Sequence, residues 1–355
     1  MKILLSHDRS LAHYFERMGL ARAFVACGHE ATIWELGKKS EFDAFDDFEP
    51  DIFIGQTYNL NEALIACIQE RPALKVYMKA ADWGFKTEEI SSKYPILKAT
   101  QKEIDLVLKL KETCNKPDFV FVHHHKDWLD DTHGYWSQNG IKTVSIMNAA
   151  DVFDYTRGIK QKKYESDIAI VGGYWGYKSI ILDEWFLSLC KDFKLNIKIF
   201  GNQPWPVPQY CGYCEDNEVK HILSSAKICI NLHEPHSHEY GYDVVERPFK
   251  ILSNKGLMVS DYVEGLYRSY PKDSLILSKT PEGFRETIRN IIKYYEDWIN
   301  KEKNNIEMLY QYTLNHHTYF SRVTQILQEL DLTEEAESSI VSRQEIFNKL
   351  RLGAL

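Results

Sequence analysis

The run Asp167-Ile168-Ala169-Ile170-Val171-Gly172-Gly173 is a short apolar segment that stops on two glycines, and a helical pattern follows over 180–192. An unbroken apolar strand of this kind, without polar alternation, belongs in a parallel sheet covered on both faces. The same unit recurs upstream, with strands expected at 2–5, 31–34, 51–54, 74–78, 119–122 and 143–146. Helical patterns at 14–27, 61–70 and 100–113 lie between them, and Gly28 is placed to cap the first helix in the left-handed conformation. Downstream, strands are expected at 196–200, 227–232 and 257–259, with helices at 247–254, 281–302 and 306–330. The polar stretch Arg157-Gly158-Ile159-Lys160-Gln161-Lys162-Lys163 interrupts this alternation and reads as a linker. The expectation is therefore an α/β chain of two Rossmann-like domains, 1–157 and 165–330. A charged helical tail, 331–355, follows with Ile340, Ile346, Leu350 and Leu352 on it.

Bulk properties narrow the function classes. A chain of 355 residues, 44% hydrophobic and 26% charged, has the composition of a globular protein with large cores. Its formal net charge of −8 supplies no general attraction for nucleic acid or anionic membrane. The opening apolar run reaches Ser6-His7-Asp8-Arg9 after five residues, short for a signal peptide. No stretch approaches the ~18 apolar residues of a membrane span. Seven scattered cysteines fit reduced thiols, so a cytoplasmic setting is expected.

Ligands of open α/β sheets bind outside the carboxyl ends of the strands. In the first half that rule selects His7, Asp8, Tyr58 and Trp83 as acceptor-side residues. His123 and His125, which end a strand, and the loop carboxylates Asp82 and Asp151 are candidate general bases, only one of which is expected to act. A structural role for each is the competing reading. In the second half, Gly172-Gly173-Tyr174-Trp175-Gly176 and Lys178 stand between strand and helix, where backbone N–H groups hold phosphate. A plain structural turn explains the same loop. The segment 233–247 packs His233, His236, His238, Tyr242, Glu246 and Arg247 before a helix N-terminus, an arrangement that suits an anionic diphosphate. A metal held by those histidines with Cys211 or Cys214 competes, but the spacings are not those of a zinc site, and no metal is expected.

The second half resembles the CgeB-like glycosyltransferases, spore-maturation-protein relatives of the group 1 family with a GT-B architecture. The residues that carry this are Ile168–Gly173, Ile197-Lys198-Ile199-Phe200-Gly201 and Ser225–His233. Arg247–Asp261 and His317-Thr318-Tyr319-Phe320-Ser321-Arg322 complete them. Over the first half the likeness is architectural, with Gly28-His29-Glu30 ending the first helix. The resemblance implies two Rossmann-like domains facing a central cleft, with C-terminal helices crossing back. It implies a nucleotide-diphosphate sugar as donor, bound by the second half, and a glycan, protein or small-molecule hydroxyl as acceptor, bound by the first. It places Gly172, Gly173 and Lys178 near the diphosphate, and Gly201, His233, Tyr242, Glu246, Arg247, Phe249 and Lys250 among the donor-binding residues. It also implies that no cofactor or metal is required. The family usually has glutamate after the phenylalanine, where Lys250 stands, so Glu246 is the substitute ribose partner. The E-x7-E spacing of retaining relatives is not met, which leaves retention or inversion open. The alternatives are a phage-type transferase that modifies a hydroxylated base in DNA, and a catalytically silent binding protein.

Overall fold

The computed structural model describes residues 1–8, 11–81, 93, 99–156 and 158–352, which form two compact units. The first comprises Met1–Met147 and Tyr319–Leu355, the second Asn148–Thr318. Of the expected site residues, Asp82 and Trp83 lie outside the described residues.

The first unit is built on β1 (Lys2–His7), α1 (Leu11–Ala26), β2 (Glu30–Glu35), α2 (Glu41–Phe48), β3 (Ile52–Gln56) and α3 (Glu62–Gln69). It continues through β4 (Lys75–Lys79), α4 (Gln101–Cys114), β5 (Phe119–Val122), α5 (Leu129–Gln138) and β6 (Thr143–Ser145). All six strands are parallel, in the order β2-β1-β3-β4-β5-β6. Phe53, Val76, Val120 and Val122 are fully buried, as apolar strands between two helical layers require. Gly28 has φ 88°, the left-handed cap that ends α1.

The second unit holds α6 (Val152–Tyr155), β7 (Ser166–Val171), α7 (Ser179–Trp185), β8 (Ile197–Phe200), α8 (Asp216–Ser225) and β9 (Ala226–Asn231). Then come α9 (Pro235–Tyr240), α10 (Arg247–Leu252), β10 (Met258–Asp261), α11 (Glu264–Arg268), β11 (Ile276–Ser278), α12 (Pro281–Lys293) and α13 (Tyr295–His316). Its sheet is also parallel, in the order β11-β10-β9-β7-β8. In each sheet the chain leaves the first strand on one side and later returns on the other. The switch points fall between β1 and β3 and between β7 and β9, where α/β sheets bind ligands.

The boundaries differ from the expected 157/165 and 330. Residues 158–163 are not a free linker: Gly158 N–H donates to Asn254 Oδ1 at 2.8 Å and Gln161 N–H to Ser225 Oγ at 2.9 Å. A Cβ on Gly158 would stand 1.8 Å from the Lys220 carbonyl oxygen, so this segment is docked against α8. At the other end, α14 (Tyr319–Glu329) and α15 (Thr333–Leu352) fold with the first unit. Arg322 Nε donates to the Met147 carbonyl at 2.7 Å and Gln325 Nε2 to that of Ser145 at 2.7 Å. The tail is anchored by buried Ala336, Phe347 and Leu350, with Phe347 edge-on to Phe320. The expected helix pair over 281–330 is three helices, broken at Tyr294 and at His317–Thr318, where Ala150 N–H bonds the His317 carbonyl.

Helix α1 carries charge on its inward face. Glu16 and Arg17 are buried, bonded to each other at 3.0 Å, and His123 Nε2 stands 3.6 Å from the Glu16 carboxylate. Arg17 Nε donates to the Ser6 carbonyl at 3.1 Å and Nη2 to that of Gly55 at 3.4 Å, which ties β1 to β3. Burial alone would raise the Glu16 carboxyl, but Arg17, His123 and Lys79 outweigh it and hold the group well below its ordinary value near 4.5.

Two stability predictions follow from this packing. A Cβ on Gly19 would lie 2.2 Å from the Tyr319 ring, so Gly19→Ala should lower the melting temperature by several degrees. In an unobstructed helix the same change stabilises by about 1 kcal/mol, so a rise in melting temperature would refute this packing. Glu16 has a lowered folded-state pKa, so its contribution is complete above ~4.5 and is lost as pH falls below that value. Thermal unfolding of Glu16→Gln against wild type should show a deficit of about 3–5 kcal/mol near neutrality that shrinks below pH ~4. A pH-independent deficit would contradict the ionised pair.

Candidate functional site

In the second unit, the sequence places polar groups just past the ends of β7, β9 and β10, and a single arginine joins them. Arg247, the first residue of α10, sends Nε to the Val171 carbonyl at 2.8 Å. Its Nη1 reaches the Leu232 carbonyl at 3.1 Å and Asn231 Oδ1 at 3.3 Å. The guanidinium therefore spans the switch point between β7 and β9, and Nη2 takes no part in these bonds. Burial pulls the guanidinium below its ordinary value and Glu234 and Asp261 push it back; it stays a cation.

The glycines around it are required by space. A Cβ on Gly172 would sit 2.7 Å from Arg247 Nη2, and one on Gly201 would sit 2.4 Å from the Gly172 carbonyl oxygen. A Cβ on Gly173 would meet Asn202 Oδ1 at 2.6 Å. The expected phosphate cradle needs correction in one respect. Gly172 N–H is already bonded to the Phe200 carbonyl at 2.7 Å, and Tyr174 N–H to that of Gln203 at 3.3 Å. Helices α7 and α10 have seven and six residues, which limits their dipoles.

Lys178 is ion-paired with Glu234, which also accepts from Tyr177 OH at 2.7 Å. Below lies a carboxylate absent from the expected set: Asp261, fully buried at the end of β10. It accepts from His233 Nδ1 and from His233 N–H, both at 2.7 Å, and from Ser260 Oγ at 2.9 Å. His238 Nε2 lies 2.6 Å from it. Burial alone would raise Asp261, yet the two imidazoles outweigh burial and hold it far below the carboxylate range. His233 Nε2 is buried with no partner among the described residues.

Other expected donor residues stand apart from this group. Phe249 is fully buried and stacked on His317, ring centres 4.9 Å apart, so it is a core residue. Glu246 and Lys250 pair with each other at 2.7 Å, and the Lys250 ammonium lies 4.1 Å from the Tyr155 ring centre. Tyr242 packs against Tyr240. His236 pairs with Asp243 at 3.3 Å instead of joining His233. Among the described residues no group of three or more His, Cys, Asp or Glu side chains is placed to hold a metal ion.

In the first unit the switch point lies between β1 and β3. Asp8 follows β1 and accepts from His13 Nδ1 through both oxygens, at 3.1 and 3.0 Å. His13 Nε2 lies 3.5 Å from Tyr58 OH and 3.4 Å from Lys79 Nζ. His7 is buried against Tyr14, and burial lowers its pKa. Of the four candidate bases, His123 is turned to Glu16, and His125 Nδ1 accepts from Asp127 N–H at 3.4 Å. Asp151 caps α6, accepting from Phe153 N–H at 3.0 Å, and belongs to the second unit instead of the first. His13 was not among the expected residues; the signal for it was the polar set His13, Glu16 and Arg17 in the first half of a mostly apolar helix. A groove of about 550 Å³ lined by Met1, Asp51, Arg71 and Leu332 lies at the opposite, amino ends of these strands, away from this chemistry.

Residues 178–328 match the family model described as glycosyl transferase-like. No curated protein matches the chain in sequence. Among solved structures, the chain is similar to phage T4 β-glucosyltransferase in complex with UDP and Mn²⁺. The identity is 15%, the coverage 95% of this chain and 99% of that one, and the TM-score 0.54. It is similar to Anabaena HepE in complex with UDP-glucose at 11% identity, over 93% and 99% of the two chains, with a TM-score of 0.57. A glycosyltransferase from Rickettsia africae gives 13% identity, 92% and 97% coverage and a TM-score of 0.56. The chain thus has the two-domain α/β fold of GT-B glycosyltransferases, and its residues 178–328 match a glycosyl transferase-like family model.

Proposed function

We propose that the second unit binds a nucleotide-diphosphate sugar and that the chain transfers this sugar to an acceptor hydroxyl held by the first unit. The observation that carries this reading is the Arg247 guanidinium, fixed by strand-end carbonyls with Nη2 turned toward Gly172. A diphosphate leaving group gains charge as the glycosidic bond breaks, and a preorganised cation there stabilises the transition state more than the ground state. Lys178 joins it when the phosphate competes with Glu234 for the ammonium. UDP-sugars are the first donors to test, because the T4 and Anabaena structures hold UDP and UDP-glucose. The acceptor classes are a glycan, a protein or a small molecule, in a cytoplasmic setting. Transfer without an obligatory metal is part of the proposal, and comparison of rates with chelator and with Mn²⁺ checks it. No helix among the described residues is long and apolar enough to cross a membrane.

A second acceptor class is a hydroxylated base in DNA, since a neighbouring α-glucosyltransferase is in complex with UDP-glucose and DNA. The net charge of −8 weighs against it, and retention on DNA across a salt series separates the two. A silent binding protein would bind UDP-glucose without releasing UDP.

Calorimetry with UDP-glucose, and with GDP-, ADP-, CDP- and TDP-sugars, should give saturable binding to one class of donor. Arg247→Ala should weaken that binding roughly 10- to 100-fold, the loss of one or two charge-assisted hydrogen bonds. Arg247→Lys, which keeps charge without the fork, should recover only part of it. Unchanged affinity in both folded variants would remove Arg247 from the donor site, and no binding by wild type would end the transferase reading.

A further inference from the structure

The last residues of β1, β3 and β4 are His7, Gln56 and Lys79, and these strands are neighbours at the switch point of the first sheet. Leu5 is opposite Ile54 and Gln56 opposite Lys79, so side-chain alternation brings all three onto one face. Two of them end in buried groups, His7 Nδ1 and Gln56 Nε2, that have no partner among the described residues. We propose that these two groups bind adjacent hydroxyls of a saccharide whose ring lies against Tyr14 and Tyr58, so that the acceptor is a carbohydrate. Naming it the acceptor rests on the transferase reading above; every residue of the site itself belongs to the first unit.

The amide of Gln56 has a fixed orientation. Its Oε1 accepts from Asn59 Nδ2 at 3.0 Å and from Ser6 Oγ at 3.1 Å, which turns the Nε2 hydrogens away from both. Burial pushes the His7 imidazole below its ordinary value of 6.5, against the pull of Asp8 and Glu35, so it is neutral near pH 7. It therefore has one ring hydrogen and one lone pair. A buried polar group left unpaired destabilises a fold, and two on neighbouring strands at a switch point are explained by a ligand that pairs with them. A hydroxyl both donates and accepts. It satisfies the imidazole in either tautomer and accepts from the amide as well. Neighbouring strands stand about 4.8 Å apart, a spacing that adjacent hydroxyls of one ring bridge.

The apolar side of a sugar is also provided for. Tyr14, 38% exposed, has its ring 5.4 Å from that of His7, and Tyr58, 37% exposed, is two residues past Gln56. Their rings give the C–H face of a pyranose an aromatic surface beside the groups that take its hydroxyls. A polyanion fits less well. The carboxylates that act on His7 are Asp8 and Glu35, and the cations Arg17 and Lys79 are both buried. A nucleic-acid backbone is gripped by exposed lysines and arginines instead.

Saturation-transfer NMR without nucleotide tests this, using the methyl glycosides of glucose, galactose, mannose and N-acetylglucosamine together with maltose and cellobiose. At least one should bind saturably. His7→Phe and Gln56→Met remove the unpaired groups at similar volume, and each should weaken that binding about 10-fold or more, as should Tyr58→Ala on the exposed rim. The melting temperature of His7→Phe should equal or exceed that of wild type, because a buried unpaired nitrogen is gone. The deoxy sugar that lacks the hydroxyl held by Gln56 should bind wild type more weakly than its parent, yet bind Gln56→Met no worse than the parent does. A merely structural role produces no such coupling. No binding by any of these saccharides, wild-type affinity in both His7→Phe and Gln56→Met, or binding only of DNA with a hydroxylated base or of a serine peptide would each overturn the proposal. UDP-glucose calorimetry on the same protein reads the donor separately. If it fails while a saccharide binds, the transferase reading falls and the carbohydrate site stands; if it succeeds while no saccharide binds, this inference falls alone.

Discussion

The structure turns on a guanidinium that bridges the ends of two strands. In the second unit, Arg247 binds the carbonyls that close β7 and β9, those of Val171 and Leu232. Once the cation is there, its neighbours have little freedom. Gly172 can carry no side chain because Nη2 occupies that space, and Gly201 can carry none because the Gly172 carbonyl does. Trp205 Nε1 donates to that same carbonyl at 2.8 Å, so the glycine turn is clamped from both sides. The buried Asp261 has His233 and His238 on its two oxygens. A buried charge costs several kcal/mol when unpaired, and these two imidazoles offset that cost for Asp261.

The first unit solves the same problem with the same chemical group and a different outcome. Arg17 bridges the Ser6 and Gly55 carbonyls at the ends of β1 and β3, as Arg247 does at β7 and β9. Arg17, however, is fully buried, and its Nη1 is bonded to Glu16. It is a tie between strands. Arg247 approaches from the opposite direction in sequence, keeps part of its surface exposed and has Nη2 outside its carbonyl bonds. Arg17 is thus closed off by its carboxylate partner, whereas Arg247 keeps Nη2 outside its carbonyl bonds.

Much of this architecture was legible in the order of residues. Unbroken apolar runs located all six strands of the first sheet and four of the second, because burial on both faces leaves no room for alternation. The short helices α2, α8 and α9 were not visible, since they are polar and defined by caps and local bonds; Ser40 capping α2 through Asp43 N–H is an example. The ends of the units were misplaced for a different reason. A polar run such as 158–163 looks like a linker, and only a partner distant in sequence, Asn254 or Ser225, makes it part of a packed unit. Of the candidate site, Gly172 and His233 stand out in the sequence by their position after strands, and Arg247 by its place at a helix start. His13 and Asp261 do not, because their significance lies in what stands across from them.

Lys250 shows how a local pairing alters the chemistry that a resemblance implies. A lone carboxylate on α10 would accept from ribose hydroxyls. Here Glu246 stands one turn before Lys250 and is bound to its ammonium at 2.7 Å, while that ammonium rests on the Tyr155 ring. A hydroxyl that approaches Glu246 therefore meets a carboxylate already neutralised by its neighbour, and a charge-assisted bond to it is correspondingly weaker. Replacing the lysine by glutamate would not restore the relatives' arrangement, because two carboxylates four residues apart on one helical face repel each other and the cation over Tyr155 is lost. The pair is a unit, and any contribution it makes to nucleotide recognition is made by both residues together.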